Sequence, residues 1–177
     1  MDYVVILEPR VSGVKAARII KSMGFSNHYI EEAFGFSGGL WLLWNHEKLS
    51  LDVVDSSYKH IHCKVELPEQ VPFLFTAVYA NPRIEKRKEL CDKFRLISQL
   101  HSDPWLIAGD FNEISLSEEK RGGAPVDTSR IASFVEVLNN CSMIDLGSSG
   151  PFFTWRGPKF LHLDRVFKRL DRACANG

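Results

Sequence analysis

Pro104-Trp105-Leu106-Ile107-Ala108-Gly109-Asp110-Phe111-Asn112 sets an acid, an aromatic and an amide directly behind an apolar run. The run reads as a buried strand. Its carboxyl end delivers the Asp110 carboxylate and, on the same side of an extended chain, the Asn112 carboxamide. A carboxylate there can hold a metal or orient a water. A carboxamide can donate to a phosphate oxygen and accept from water. The pair suits metal-assisted attack of water on a phosphodiester. Asp and Asn behind a strand are also ordinary turn formers, so these residues alone leave both readings open.

To either side of this segment, apolar runs predict strands at Tyr3–Leu7, Leu40–Trp44 and Phe73–Tyr79. Ser37-Gly38-Gly39 has the chemistry of a turn. Ile61, Cys63, Val65 and Leu67 alternate with His60, His62, Lys64 and Glu66, which predicts a half-buried strand with a polar face. Ala16, Ile19, Ile20 and Met23 recur at helical spacing before Gly24. Leu90, Phe94 and Ile97, widened by Cys91, mark a long amphipathic helix. Ile131, Phe134, Val135 and Leu138 mark another, with Thr128 or Ser129 as its cap. Arg121-Gly122-Gly123-Ala124-Pro125 reads as a loop. Phe152 to Trp155 and Phe167 to Ala173 are expected to form a late antiparallel pair. Interleaved helices and strands with short turns indicate an α+β domain of largely antiparallel sheets.

A chain of 177 residues suits one domain spanning 1–177. Twenty-two basic and 22 acidic residues balance to zero, which argues against the basic excess of a strong nucleic-acid footprint. The one basic cluster, Arg83 to Lys88, is partly offset by Glu85 and Glu89. Cys63, Cys91, Cys141 and Cys174 lack the spacing of a zinc knuckle or a redox pair and read as reduced, buried thiols. No apolar stretch reaches membrane-span length, and the start lacks a signal-like segment. The expectation is an intracellular protein of nucleus or cytosol, with no membrane and no obligate protein partner. His60 and His62 share a strand face without a third ligand, which favours a polar sheet face over zinc. Trp41, Trp44, Trp105 and Trp155 read as core, with Trp155 and Arg156 within reach of a nucleic acid at the sheet rim.

Gly109-Asp110-Phe111-Asn112 behind its strand resembles the endonuclease/exonuclease/phosphatase superfamily. Four further segments stand in the order of the plant LINE-type retrotransposon endonuclease branch. They are Leu7-Glu8-Pro9-Arg10-Val11-Ser12-Gly13, Phe36-Ser37-Gly38-Gly39-Leu40-Trp41, Gly150-Pro151-Phe152-Phe153-Thr154-Trp155 and Arg169-Leu170-Asp171-Arg172-Ala173. The resemblance spans nearly the whole chain. It implies a two-layer β-sandwich of mostly antiparallel sheets flanked by helices, of the deoxyribonuclease-like kind.

The resemblance also implies roles. Glu8 is the metal-binding glutamate, for Mg2+ or alternatively Mn2+, which needs few carboxylates because it keeps several waters. Asp110, also on the metal side, positions or deprotonates the attacking water, and Asn112 helps hold water and phosphate. Tyr79 contacts phosphate, with Asn81 beside it. Arg87 reaches the phosphate or else pairs with an acid as a snorkelling side chain. Asp171, rather than Asp164 of the second Leu-Asp-Arg, orients a catalytic histidine; Asp164 belongs to a hairpin. Without that resemblance, Glu8 is a solvated loop entry, Tyr79 half-buried packing and Asp171 a surface ion-pair residue.

Residues 1–177 depart from the family pattern by lacking an opening strand ending in asparagine and a closing Ser-Asp-His strand. Cys91 stands where the family commonly has tryptophan. The expectation is a fold incomplete at both ends that acts weakly on DNA. The alternatives are an inactive remnant or binding module, and the same fold acting on a small-molecule or lipid phosphoester.

Overall fold

The computed structural model describes residues 2–32, 39–162 and 164–177. Ser37 and Gly38 of the expected turn, and Leu163 of the second Leu-Asp-Arg, lie outside the described residues. The chain divides into two compact units, Met1–Tyr79 with Asp103–Gly109, and Ala80–Ser102 with Asp110–Gly177.

The first unit is a sandwich. β1 (Tyr3–Leu7), β2 (Asn27–Glu31) and β3 (Leu40–Trp44) form an antiparallel sheet in the order β1-β3-β2. β4 (Ser50–Ser57), β5 (His60–Glu66), β6 (Phe73–Tyr79) and β7 (Trp105–Asp110) follow one another in a second sheet, with a register shift between Val53 and Asp55. Leu40 and Leu42 meet Ile61, Cys63, Val65, Phe75 and Ala77 between the sheets. On the other face of β3, Trp41 and Leu43 are covered by Ala16 and Ile20 of α1 (Gly13–Ser22). This double burial explains why Leu40–Trp44 is apolar without alternation.

β5 departs from its expected polar face, because His60 and His62 are buried. Thr76 and Trp105 close over that face. His62 Nδ1 lies 2.7 Å from Thr76 Oγ1, and Trp105 Nε1 donates to the same hydroxyl at 2.8 Å. His60 is held between Asp55 and Ser57. Only Lys64 and Glu66 reach solvent there, as an exposed ion pair.

The second unit contains α2 (Ile84–Leu100), a 3-10 turn at Ser117–Glu119, β8 (Lys120–Arg121), α3 (Thr128–Asn140) and β9 (Met143–Asp145). β10 (Trp155–Arg156), β11 (Phe167–Lys168) and β12 (Asp171–Asn176) complete it. Phe111 stacks between Phe94 of α2 and Phe134 of α3, at centroid distances of 6.5 and 5.6 Å. The cap of α3 is Asp127 rather than Thr128 or Ser129, its carboxylate accepting from the Ser129 and Arg130 amides. The expected late pair splits. β10 and β11 form an antiparallel ladder that continues to β8, whereas β12 pairs with β9. Arg169 and Leu170 fall outside both ladders, a break that the sequence from Phe167 to Ala173 does not announce.

Cys63, Cys141 and Cys174 are buried and Cys91 is half-buried; all four are free thiols. Burial first, then nearby carboxylates, pushes Cys63 and Cys174 up to about 12. Cys91 borders a cavity of about 360 Å3 between α2 and α3, walled by Phe94, Phe111 and Phe134. In native protein at about pH 8, Ellman's reagent is therefore expected to titrate Cys91 alone, and all four thiols after denaturation. Equal reactivity of the four in the native state would contradict this packing.

Candidate active site

Asp110 ends β7 and Asn112 follows the turn. Asn112 adopts a left-handed backbone, φ 50, which Asn tolerates better than most residues. The turn is fixed by its own side chains. The Asn112 amide N–H donates to Asp110 Oδ1 at 2.7 Å. Asn112 Nδ2 donates to Asp110 Oδ2 at 3.1 Å and to the Ala80 carbonyl at 2.8 Å. Both partners are acceptors, which fixes the amide orientation and turns Oδ1 away from them. Both Nδ2 hydrogens are thus engaged, which leaves Oδ1 as the acceptor of the side chain.

Arg87, expected as a phosphate contact, is buried and committed within the second unit. Nη1 donates to the carbonyls of Asn81, Pro82 and Asn112, the last at 2.8 Å, and Nη2 pairs closely with Glu113. Burial, with Arg130 adding to it, pulls its pKa below the ordinary arginine value, against the pull of Glu113. The guanidinium thus pairs with Glu113 and supports the Asn112 backbone. Asn81 Oδ1 accepts from the Arg83 amide and shapes the entry to α2, so its side-chain oxygen is used locally.

Asp171 opens β12 and is exposed, and its carboxylate makes no hydrogen bond or ion pair among the described residues. Its amide and that of Leu170 both donate to Thr154 Oγ1 at 3.0 Å. Asp164 lies between β10 and β11, as expected for a hairpin.

In the first unit, Glu8 follows β1 with φ 51, a left-handed backbone that costs of order 1–3 kcal/mol for such a residue. Its amide donates to the Gly39 carbonyl at 3.0 Å. Oε1 accepts from the exposed Arg10 at 3.0 Å, while Oε2 has no protein donor among the described residues. A half-buried carboxylate with one unshared oxygen suits a hard cation such as magnesium. Tyr79 ends β6, its amide donating to the Lys59 carbonyl and its ring packing partly on the sandwich core. Among the described residues, no group of three or more His, Cys, Asp or Glu side chains gathers as a metal cage.

A buried ionic network in the second unit is centred on Arg169 and Arg172, which flank Leu170-Asp171 in the family segment and to which the resemblance gives no role of their own. Glu119, 1% exposed, accepts from Arg169, Arg172 and the Ser115 amide. Asp145 accepts from both arginines. Arg172 also donates to the Glu113 carbonyl at 3.1 Å, tying the network to the segment after Asn112. Arg130 adds to the hold on Glu113 at 2.9 and 3.0 Å. Single charged residues carry no periodic signal, so the sequence does not show that Arg169 and Arg172 pair with Glu119 and Asp145.

The Endonuclease/Exonuclease/phosphatase family model matches residues 2–177. No curated protein matches the chain. The fold is similar to that of the endonuclease domain of TRAS1, a telomere-specific non-LTR retrotransposon, with TM-score 0.68 and 13% identity over 99% of this chain and 85% of that one. TDP2 of D. rerio, solved with a single-strand DNA product, gives TM-score 0.60 at 12% identity over 99% and 70%. The human Nocturnin catalytic domain, solved with sulfate, gives 0.59 at 15% over 99% and 69%. Among the described residues, no helix is long and apolar enough to cross a membrane. With a family model matched along almost its entire length, and with sheets flanked by helices as in these structures, this chain belongs to the endonuclease/exonuclease/phosphatase family.

Proposed function

We propose that this chain is a magnesium-dependent phosphodiesterase acting on DNA, the endonuclease domain of a plant LINE-type retroelement. The observation that carries the reaction is the locked Asp110–Asn112 pair. The five family segments, in order along the chain, support the retroelement assignment.

Asp110 takes a proton from water as its oxygen attacks phosphorus. Asn112 Oδ1 accepts the water's other hydrogen and aims the lone pair. The phosphorus–oxygen bond to the leaving strand breaks, and that oxygen takes a proton from solvent. Tyr79 steadies the phosphate, and Asp171 has the family role of orienting a catalytic histidine. Arg87 and Asn81 act through the Asn112 backbone and the start of α2. Glu8 would hold magnesium, which supplies charge neutralisation for the phosphate when bound.

The test is nicking of supercoiled plasmid. Nicking is expected with magnesium and not with EDTA, and Asp110→Asn is expected to lower the rate by about 10³, within the range for loss of a general base. Glu8→Gln is expected to raise the magnesium concentration needed for half-maximal rate. A folded protein that leaves plasmid intact, or an Asp110→Asn variant as fast as wild type, would refute the proposal.

A further inference from the structure

Two cavities in the second unit share Lys120 and Lys168. The narrow one, about 110 Å3, is polar and also bordered by Arg130, Glu113 and Asp127. The wide one, about 700 Å3, has Trp155 and Phe160 in its wall. That volume lies within the usual range for small-molecule sites, roughly 300–1,000 Å3.

The narrow cavity is short of negative charge. Glu113 is already gripped by both Arg87 and Arg130. Asp127 Oδ1 is taken by the amides that cap α3. Lys120 Nζ donates to the Ala124 carbonyl. Lys168 Nζ makes no hydrogen bond or ion pair among the described residues; its close neighbour is the Trp155 ring, 5.7 Å from the centroid. Burial, then Lys120, then Arg130 and Arg87 pull the Lys168 pKa down, with Glu113 opposing. A cation held among cations without a partner of its own is relieved by an anion.

The wide cavity is shaped by bare backbone. A Cβ at Gly123 would lie 2.8 Å from Val166 Cγ2, and one at Gly157 would lie 2.9 Å from Trp155 Cη2. Side chains at these positions would collide with its walls. Trp155 is 40% exposed, unlike buried Trp41 and Trp105, which corrects its reading as core. Asp164 is also on this wall, so an anion belongs in the narrow cavity and a neutral ring in the wide one.

We propose that the joined cavities form a nucleotide subsite, the base stacked on Trp155 and the phosphate held between Lys120 and Lys168. The subsite rests on the phosphodiesterase reading only for the choice of a nucleotide among aromatic phosphates. A free mononucleotide and one unit of a single strand present the same chemistry.

The test is titration of the full chain in EDTA, where no turnover occurs, followed by tryptophan fluorescence and calorimetry. The probes are dAMP, ribose 5-phosphate, adenosine and oligothymidylate. dAMP is expected to bind at least about tenfold tighter than either half-ligand, because base and phosphate contacts then act together. Trp155→Leu is expected to weaken dAMP about fivefold or more, the usual cost of losing one stacked base. Lys168→Met is expected to weaken dAMP and ribose 5-phosphate alike, whereas Trp155→Leu spares ribose 5-phosphate. Oligothymidylate well tighter than dAMP identifies a strand as the source, and equal affinities identify the free nucleotide; either supports the subsite. No binding of dAMP or oligothymidylate, or wild-type affinity in both variants, overturns it. Should Trp155→Leu fail to fold, Lys168→Met decides. Plasmid nicking without nucleotide binding in EDTA would refute the subsite alone, and nucleotide binding without nicking would refute the hydrolase alone.

Discussion

Gly109→Ala is expected to abolish the folded state at ordinary temperature. Gly109 sits one residue before Asp110 with φ +142, and a Cβ there would lie 2.1 Å from the Val78 carbonyl oxygen and 3.0 Å from its nitrogen and carbon. All three contacts are backbone atoms of β6, so no side chain can swing away. β6 and β7 would have to part at this point. A collision of this kind belongs with the exceptional substitutions that cost more than about 4 kcal/mol, against a total stability of about 5–15 kcal/mol for a typical domain. Gly24→Ala separates collision from backbone strain, because Gly24 has φ +75 and a Cβ added there would meet nothing within 4 Å. It should cost only about 1–2 kcal/mol, the left-handed penalty itself. Urea unfolding by circular dichroism checks both. A Gly109→Ala protein with a midpoint near that of Gly24→Ala would show that the close approach to Val78 does not limit this position.

Arg172→Met is expected to destabilise by about 3–5 kcal/mol, the usual cost of removing one partner from a buried ion pair. Arg172 serves Glu119, Asp145, Ser115 Oγ and the Glu113 carbonyl at once. Its guanidinium also lies 5.3 Å from the Phe134 centroid, which accounts for an Nε without a hydrogen-bond partner. Removal leaves Glu119 buried with Arg169 as its remaining cation. Lys at this position cannot restore the network, because one ammonium does not span acceptors that two guanidinium nitrogens reach.

The same network sets an acid limit. Burial by itself would raise the pKa of Glu119, but hydrogen bonds from Arg172, the Ser115 amide and Arg169 outweigh it and hold the carboxyl below its ordinary value. Asp145 also feels burial first, and is held low in the same way by Arg169, the Gly147 amide and the charge of Arg172. A carboxyl depressed in the folded state contributes stability above its unfolded pKa and loses it as pH falls through the folded one. The urea midpoint is therefore expected to hold near pH 7 and to fall below about pH 4, the ordinary carboxyl range. In Arg172→Met the acid-dependent part should shrink. An unchanged pH profile in the variant would separate the network from acid stability.

How much of the fold and the site is legible in the sequence depends on the range of the interaction. β1, β3, β6 and β7 announce themselves as apolar runs, and α2 by Leu90, Phe94 and Ile97, because periodic burial is written residue by residue. The Asp110–Asn112 turn is legible for the same reason, since it is built from neighbours that bond one another. Tertiary structure alone decided the rest. Whether His62 faces solvent depended on Trp105, 43 positions away in the chain and closing over Thr76. That Arg87 meets a carboxylate depended on Glu113, and whether Trp155 is core depended on which side of the β10–β11 ladder is covered. A buried charge is stable only beside its partner, and that partner is chosen by the fold, not by spacing. Local sequence was enough for the α+β class and for the Asp110–Asn112 turn at the end of β7. Only the folded chain determined which polar side chains were spent on holding that turn still, as Arg87 is, and which, like Lys168, lie against a ring instead of a carboxylate.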